Sequence, residues 1–168
     1  PALGYLRNRG LSDETIKTFE LGYAPNGWTM LLDHFTNQDS SHLELEQVGL
    51  ISIKDGGKKY DRFRNRVIFP IRDSYGKMAG FGARALSAED EPKYLNSPQT
   101  VLFDKSKILY GLDKARKPIR MKDQAVIVEG YLDVIAPHQA GFDNIVATIG
   151  TALTSQHIGL LKRITRKL

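Results

Sequence analysis

The chain has 168 residues, 41% hydrophobic and 26% charged, with no cysteine. This composition excludes a disordered or fibrous chain, disulfide staples, thiolate zinc ribbons and cysteine nucleophiles. No stretch approaches the ~18 apolar residues of a spanning helix, and no basic-then-apolar leader opens the sequence, so the expectation is a cytoplasmic location with no membrane partner. The net charge of +5 is unevenly spread: residues 1–53 carry three basic and seven acidic side chains, residues 54–122 seventeen and eight, and residues 123–168 four and four. A middle segment at +9 attracts phosphates in a salt-sensitive way, although a solvated face of unpatterned lysines gives the same arithmetic.

In chain order, Ser12 reads as the N-cap of a helix near 13–20, with Asp13 and Glu14 in its first turn and Gly22 just past its end. Trp28–Phe35 and His42–Val48 give two further helical windows on either side of a polar Thr36–Ser41 loop. The period then changes. Leu50–Ile53, Lys58–Phe63, Arg66–Arg72 and Lys77–Arg84 are short β-rich runs, separated by the turn signals Asp55-Gly56-Gly57 and Asp73-Ser74-Tyr75-Gly76, and so predict an antiparallel meander. A short helix from Tyr110 through Arg116 leads into a Lys117–Lys122 connection, where Pro118 marks a boundary.

Ala125-Val126-Ile127-Val128 is an apolar run suited to a strand covered on both faces. A helix from about Tyr131, which Pro137 should kink or shorten, a strand at Asn144–Ala147 and a helix capped by Thr154 complete the order of a βαβ unit. The class is α+β. The chain opens on Pro1 and ends where a third strand is expected, which reads as a piece of a larger protein.

Two constellations could carry chemistry. Glu129 follows the apolar strand and Asp133 lies one helical turn beyond it, at the carboxyl end where parallel sheets collect ligands. Such a carboxylate can hold Mg²⁺ beside substrate phosphates or move a proton; the plainer alternative is an exposed turn residue, with Asp133 at the helix start. In Tyr60 through Pro70, an extended backbone would project Arg62, Arg64 and Arg66 from one face at ~6.6 Å intervals and bury Phe63 and Val67 on the other. Arginine forks suit phosphate, unless Asp61 and Asp73 offset them. Gly80-Phe81-Gly82-Ala83-Arg84-Ala85 matches a dinucleotide fingerprint in letters only, because it lies in the meander and opens no helix. Arg84 remains a cation at a strand end. Lys93 to Pro98 and Phe103 to Lys107 read as turns carrying lysines.

These segments, with Tyr5-Leu6-Arg7, Arg9-Gly10-Leu11, Gly22-Tyr23-Ala24-Pro25, Gly27-Trp28, Tyr110-Gly111-Leu112 and Val128-Glu129-Gly130-Tyr131-Leu132-Asp133, together resemble the catalytic core of bacterial DnaG-type primases. Nearly the whole chain is covered. No single motif is decisive, but the ordered set is specific.

The resemblance implies a basic N-terminal subdomain over 1–118 that binds template and nucleotide. Over 119–168 it implies the first part of a Toprim domain, the metal-binding module that primases share with topoisomerases. It implies synthesis of short RNA primers on single-stranded DNA from ribonucleoside triphosphates, with Mg²⁺ or Mn²⁺ as cofactor, and contact with the replicative helicase through regions outside this chain. Glu129 is similar to the first acidic Toprim residue, catalytic and metal-holding, and Asp133 to its neighbour. Arg64, Arg66, Arg84, Lys93, Asn96 and Lys105, with Arg62 beside them, look like the basic ridge for template and nucleotide. The family's later Asp-x-Asp element would follow Leu168, so this piece alone is expected to be inactive. The alternatives are a non-catalytic module for single-stranded nucleic acid, or a Toprim topoisomerase or nuclease, although no tyrosine stands out in a strand-cleaving setting.

Overall fold

A computed structural model describes residues 1–36, 41–54 and 56–168. Two short helices open the chain, α1 (Ala2–Asn8) and α2 (Asp13–Thr18). Ser12 caps α2 by accepting from the Thr15 amide at 3.1 Å, as the sequence indicates. The helix stops at Thr18, and Glu20 rather than Gly22 takes the left-handed turn, at φ 54. Gly22 instead begins a strand, β1 (Gly22–Ala24), which the helical reading of the first fifty residues misses.

Helices α3 (Met30–Thr36) and α4 (His42–Gln47) follow. The start of α3 is capped from a distance. Asp61, buried in the hairpin beyond, accepts from the amides of Leu31 and Leu32 at 2.7 and 2.9 Å, satisfying donors that the helix cannot. Ser41 and Glu44 form a capping box on α4.

The expected four-strand meander is divided in two. β2 (Ile51–Ile53) and β3 (Lys59–Asp61) form a separate hairpin. Gly56 and Gly57 take positive φ in its turn, while Asp55 of the turn signal and residues 37–40 of the Thr36–Ser41 loop lie outside the described residues. β4 (Arg66–Arg72) and β5 (Met78–Ala85) belong to another sheet, ordered β1-β4-β5-β6 and antiparallel throughout, in which β6 is Tyr94–Asn96. The break falls at Asn65, whose φ of 50 turns the chain between β3 and β4. Arg62, Arg64 and Arg66 therefore do not lie on one continuous strand. Lys93–Pro98, read as a turn, contains the edge strand β6. Tyr94 favours strand, and pairing with Gly82–Arg84 supplies its hydrogen bonds.

The helix after Tyr110 runs through Pro118 as α5 (Leu112–Lys122). An internal proline costs ~3 kcal/mol, but Leu112, Ala115 and Ile119 form a buried stripe packed with Val146 and Leu161, and that burial outweighs the missing bond. β7 (Val126–Val128), α6 (Tyr131–Gln139), β8 (Ile145–Ala147) and α7 (Ser155–Lys162) complete the expected βαβ order, with β7 and β8 parallel. β8 is fully buried, bridged on its far side to Tyr110. β7 is not covered on both faces, since Val126 is 39% exposed. Helix α6 ends two residues after Pro137.

One apolar core joins the N-terminal helices, the large sheet and the βαβ unit. Leu6, Phe19, Val67, Phe69, Ile71, Tyr110, Tyr131, Val134 and Ile149 share it. Gln139 at the end of α6 adds a polar staple, accepting from the Ser12 amide at 2.8 Å and donating to the Gly10 carbonyl at 2.9 Å. His138 beside it bonds the Ile145 carbonyl through Nε2 at 3.0 Å and meets Phe19 edge-on. Burial holds the His138 pKa below its usual 6.5, with the Ile145 bond opposing that shift in part. The unfolded chain therefore binds a proton at this position below about pH 6.5 that the fold resists, so stability present above that pH is lost as pH falls. Urea midpoints at pH 7.5 and 5.0 test this: the wild-type chain should lose more on acidification than His138→Gln, whose amide can still reach Ile145. Equal losses would refute the linkage.

Candidate functional site

The break between β3 and β4 opens onto a cavity. Its ≈ 600 Å³ are lined by Trp28 and Tyr60, by Arg62, Arg64 and Arg66, and across from these by Glu89, Asp90 and Glu91. A cleft of this size accommodates a nucleotide. The three arginines singled out in the sequence do converge, although the strand geometry expected to align them does not exist.

Main-chain carbonyls hold the arginine heads. Arg62 donates from Nε and Nη2 to the Asn96 carbonyl at 3.2 and 2.9 Å. Arg64 donates to the Asp61 carbonyl and lies over the Trp28 ring, 4.3 Å from its centroid, and near Tyr60 at 5.2 Å. Arg66, only 5% exposed, donates to the Pro92 carbonyl at 2.7 Å. Burial lowers the pKa of Arg62 and of Arg66; at Arg66 Asp90 and Glu91 oppose the shift and Arg64 adds to it. A carbonyl orients a guanidinium without cancelling its charge. The acids expected to do so are engaged elsewhere, Asp61 as the α3 cap and Asp73 on the amides of Tyr75 and Lys77 in its own turn. The acidic loop at Glu89–Glu91 is the counter-charge that faces this cavity, and Asp90 is tied to Asn65 at 2.8 Å.

Arg84 is not in this cavity. It pairs in register with Tyr94 and with Val67, so the pleat places it on the core side of the sheet, opposite Arg66. Its guanidinium lies 4.9 Å from the Tyr5 ring centroid and 5.4 Å from that of Tyr94, and its Nε and Nη1 are buried without a protein partner. Lys93 is exposed just before β6, and Lys105 is half-buried on the loop before Tyr110.

Glu129 and Asp133 are both exposed. Asp133 folds back on the turn: a Cβ on Gly130 would stand 2.8 Å from its Oδ2, which keeps the two carboxylates on one short segment. Among the described residues no group of three or more metal-binding side chains gathers. Neither carboxylate lines the arginine cavity.

The connection between the two runs through Tyr131 and Asn96. Tyr131 donates to the Asn96 side-chain oxygen at 2.6 Å, and the Asn96 main chain accepts from Arg62. Burial pushes the Tyr131 hydroxyl well above its usual pKa, so it stays a donor. Its ring occupies the space where a side chain on residue 82 would be; a Cβ there would meet Tyr131 at 2.2 Å. That close approach accounts for Gly82 in a segment whose letters mimic a nucleotide fingerprint.

Sequence reasoning missed Trp28, Tyr60 and Tyr131 as parts of the site. A signal existed for Trp28, the one tryptophan, next to Gly27 at the head of a helical window; it is 56% exposed. Tyr131 gave none beyond its place in a motif.

A family model described as the DNA primase catalytic core, N-terminal domain, matches residues 1–116, and a Toprim domain model matches 123–167. The DNA primase of Deinococcus radiodurans is 53% identical over 165 residues, 98% of this chain and 29% of that protein. The DNA primase of Legionella pneumophila is 50% identical over 167 residues, 99% of this chain and 28% of its own length. The chain thus spans under a third of these relatives. Among solved structures, the RNA polymerase domain of Mycobacterium tuberculosis primase DnaG, in complex with a double-stranded DNA oligomer with a 6-nucleotide overhang, superposes with TM-score 0.92 at 42% identity over 98% of this chain and 51% of that one. A DnaG primase catalytic domain bound to ssDNA superposes with TM-score 0.90 at 44% identity, covering 99% and 51%.

Proposed function

The chain belongs to the DNA primase family, and from that membership we propose that it supplies the template and nucleotide grip, and the first acidic element, of an enzyme that makes short RNA primers on single-stranded DNA. Residues 1–118 provide the cationic trough and residues 119–168 the acidic turn. The observation that carries this reading is the arrangement of Arg62, Arg64 and Arg66 around one cavity, each bonded to a main-chain carbonyl rather than to the Glu89–Glu91 carboxylates that face them.

Phosphates are the complementary ligand. Arginine forks bind them in pairs of hydrogen bonds, and Trp28 and Tyr60 offer π-faces for a base. Arg84, on the other face of the sheet from Arg66, keeps two donors without a protein partner, and its likeness to the family's basic ridge, shared by Lys93, Asn96 and Lys105, assigns these four to further phosphates outside the cavity. Such interactions position a strand without reading it.

Glu129 and Asp133 offer hard oxygen donors on one turn, the donor class Mg²⁺ or Mn²⁺ takes, and two carboxylates suit an ion that keeps part of its water shell. Bound there, the ion would offset the negative charge that builds on the phosphate oxygens when a 3′-hydroxyl attacks. In their own cavity the arginines would orient a polyphosphate and offset its charge. Glu129 can also accept a proton at its carboxylate.

Two measurements test the reading. For binding of an oligo(dT) strand to the chain, Arg64→Ala and Arg84→Ala should each lower the slope of log affinity against log salt by up to ~0.7 for every phosphate the arginine neutralises; an unchanged slope would remove that residue from the strand's path. In a primase carrying this chain, Glu129→Gln should abolish primer synthesis while oligo(dT) affinity holds. Retained synthesis would overturn the role of Glu129.

A further inference from the structure

His157 is fully buried, yet it lies outside the site described above. Its imidazole bridges two segments. Nδ1 accepts from the Thr154 amide at 3.2 Å, and Nε2 bonds the Lys105 carbonyl at 2.8 Å. A ring that accepts at one nitrogen and donates at the other is the neutral Nε2–H form. Thr154 doubles the link: its hydroxyl accepts from the His157 amide at 3.1 Å and donates to the Ser106 carbonyl at 2.8 Å.

Further bonds tighten the same loop. The Ser106 hydroxyl donates to Asp104 and lies 2.9 Å from the Gln156 side-chain oxygen. The Ser106 hydroxyl, Lys107 and the Ser106 amide hold the Asp104 carboxyl well below its usual pKa. Two consecutive carbonyls, 105 and 106, are thus fixed by side chains from the first turn of α7 and its cap. A capping box needs neither reach. His157 could cap α7 through Nδ1 alone, with Nε2 in solvent; here Nε2 is buried on the backbone of a lysine.

We propose that His157 is a positioning residue that sets the backbone of Lys105, and through it the ammonium group, against a phosphate. This rests on the reading of Lys105 as a phosphate ligand. A lysine is a flexible point charge, so the precision of its approach comes from where its main chain is held. The phosphate is that of a DNA strand or of a nucleotide.

Four forms of the chain decide it: Lys105→Ala, His157→Asn, His157→Gln and the double variant Lys105→Ala/His157→Asn, each assayed for affinity to oligo(dT) and to ATP. Asparagine keeps an acceptor near the Nδ1 position and loses the donor to Lys105; glutamine carries an amide nitrogen to where Nε2 lies. Loss of one such bond should weaken binding roughly two- to tenfold in His157→Asn, with the deficit restored in His157→Gln and absent in the Lys105→Ala background. Amide exchange at residues 105–107 should rise in both forms that carry His157→Asn and in neither of the others. The ligand whose affinity falls identifies the phosphate, strand or nucleotide.

If Lys105→Ala binds like wild type, the reading of Lys105 fails and takes the proposal with it. If Lys105→Ala binds weakly while His157→Asn binds normally, or adds its full effect to Lys105→Ala, that reading stands and the role of His157 is overturned. Should His157→Asn not be recovered folded, Thr154→Ala, which removes the companion bond to Ser106, is subject to the same comparison.

Discussion

Tyr131 lies flat on Phe69 with ring centroids 4.8 Å apart, meets Tyr110 edge-on at the same separation, and reaches Asn96 with its hydroxyl. Its position two residues after Glu129 makes it the joint between the acidic turn and the large sheet. The ring fits because residue 82 is glycine, and it is held because burying an aromatic side chain contributes a few kcal/mol. The hydroxyl then fixes rotation. Asn96 takes that bond on its side chain and offers its main-chain carbonyl to Arg62, so one residue of an edge strand touches both halves of the site.

The arginine cavity follows a second rule. Three guanidiniums around one volume repel one another, and the fold could have neutralised them with Asp61 and Asp73, which lie close in sequence. It uses both acids as caps for backbone amides and ties the arginines to carbonyls instead. Carbonyl bonds orient a guanidinium while leaving its charge available, as the proposed binding of polyanions requires. The facing loop at Glu89–Glu91 moderates the field without an ion pair to any of the three; Asp90 is spent on Asn65. Under the proposed function, affinity for a strand should therefore be modest and strongly dependent on salt.

Much of this is legible in the letters. Ser12 and Thr154 announce helix starts because capping is a local contest between a side chain and the next turn's amides. The βαβ order shows in the change of period. What stays hidden is long-range. The meander divides at Asn65, and Asn65, Arg62 and Arg66 take their partners from residues 90–96, which nothing within the segment states. Helix α5 passes through Pro118 because Ile119 is buried against Leu161, a neighbour over forty residues away. Charge groups Arg84 with the other arginines, but strand parity sends it to the other side of the sheet from Arg66. Arg62, Arg64 and Arg66 do converge as the sequence suggests, though for a geometric reason other than the extended strand that suggested it.

The claim that the tyrosine–asparagine bond couples the acidic turn to the strand that holds Arg62 is most directly tested by a double-mutant cycle on unfolding free energy, with Tyr131→Phe, Asn96→Ala and the pair. A buried bond between neutral partners predicts a coupling of about 0.5–1.5 kcal/mol. Additive losses, with coupling near zero, would mean that the two side chains act independently and that the halves of the site are joined by something else.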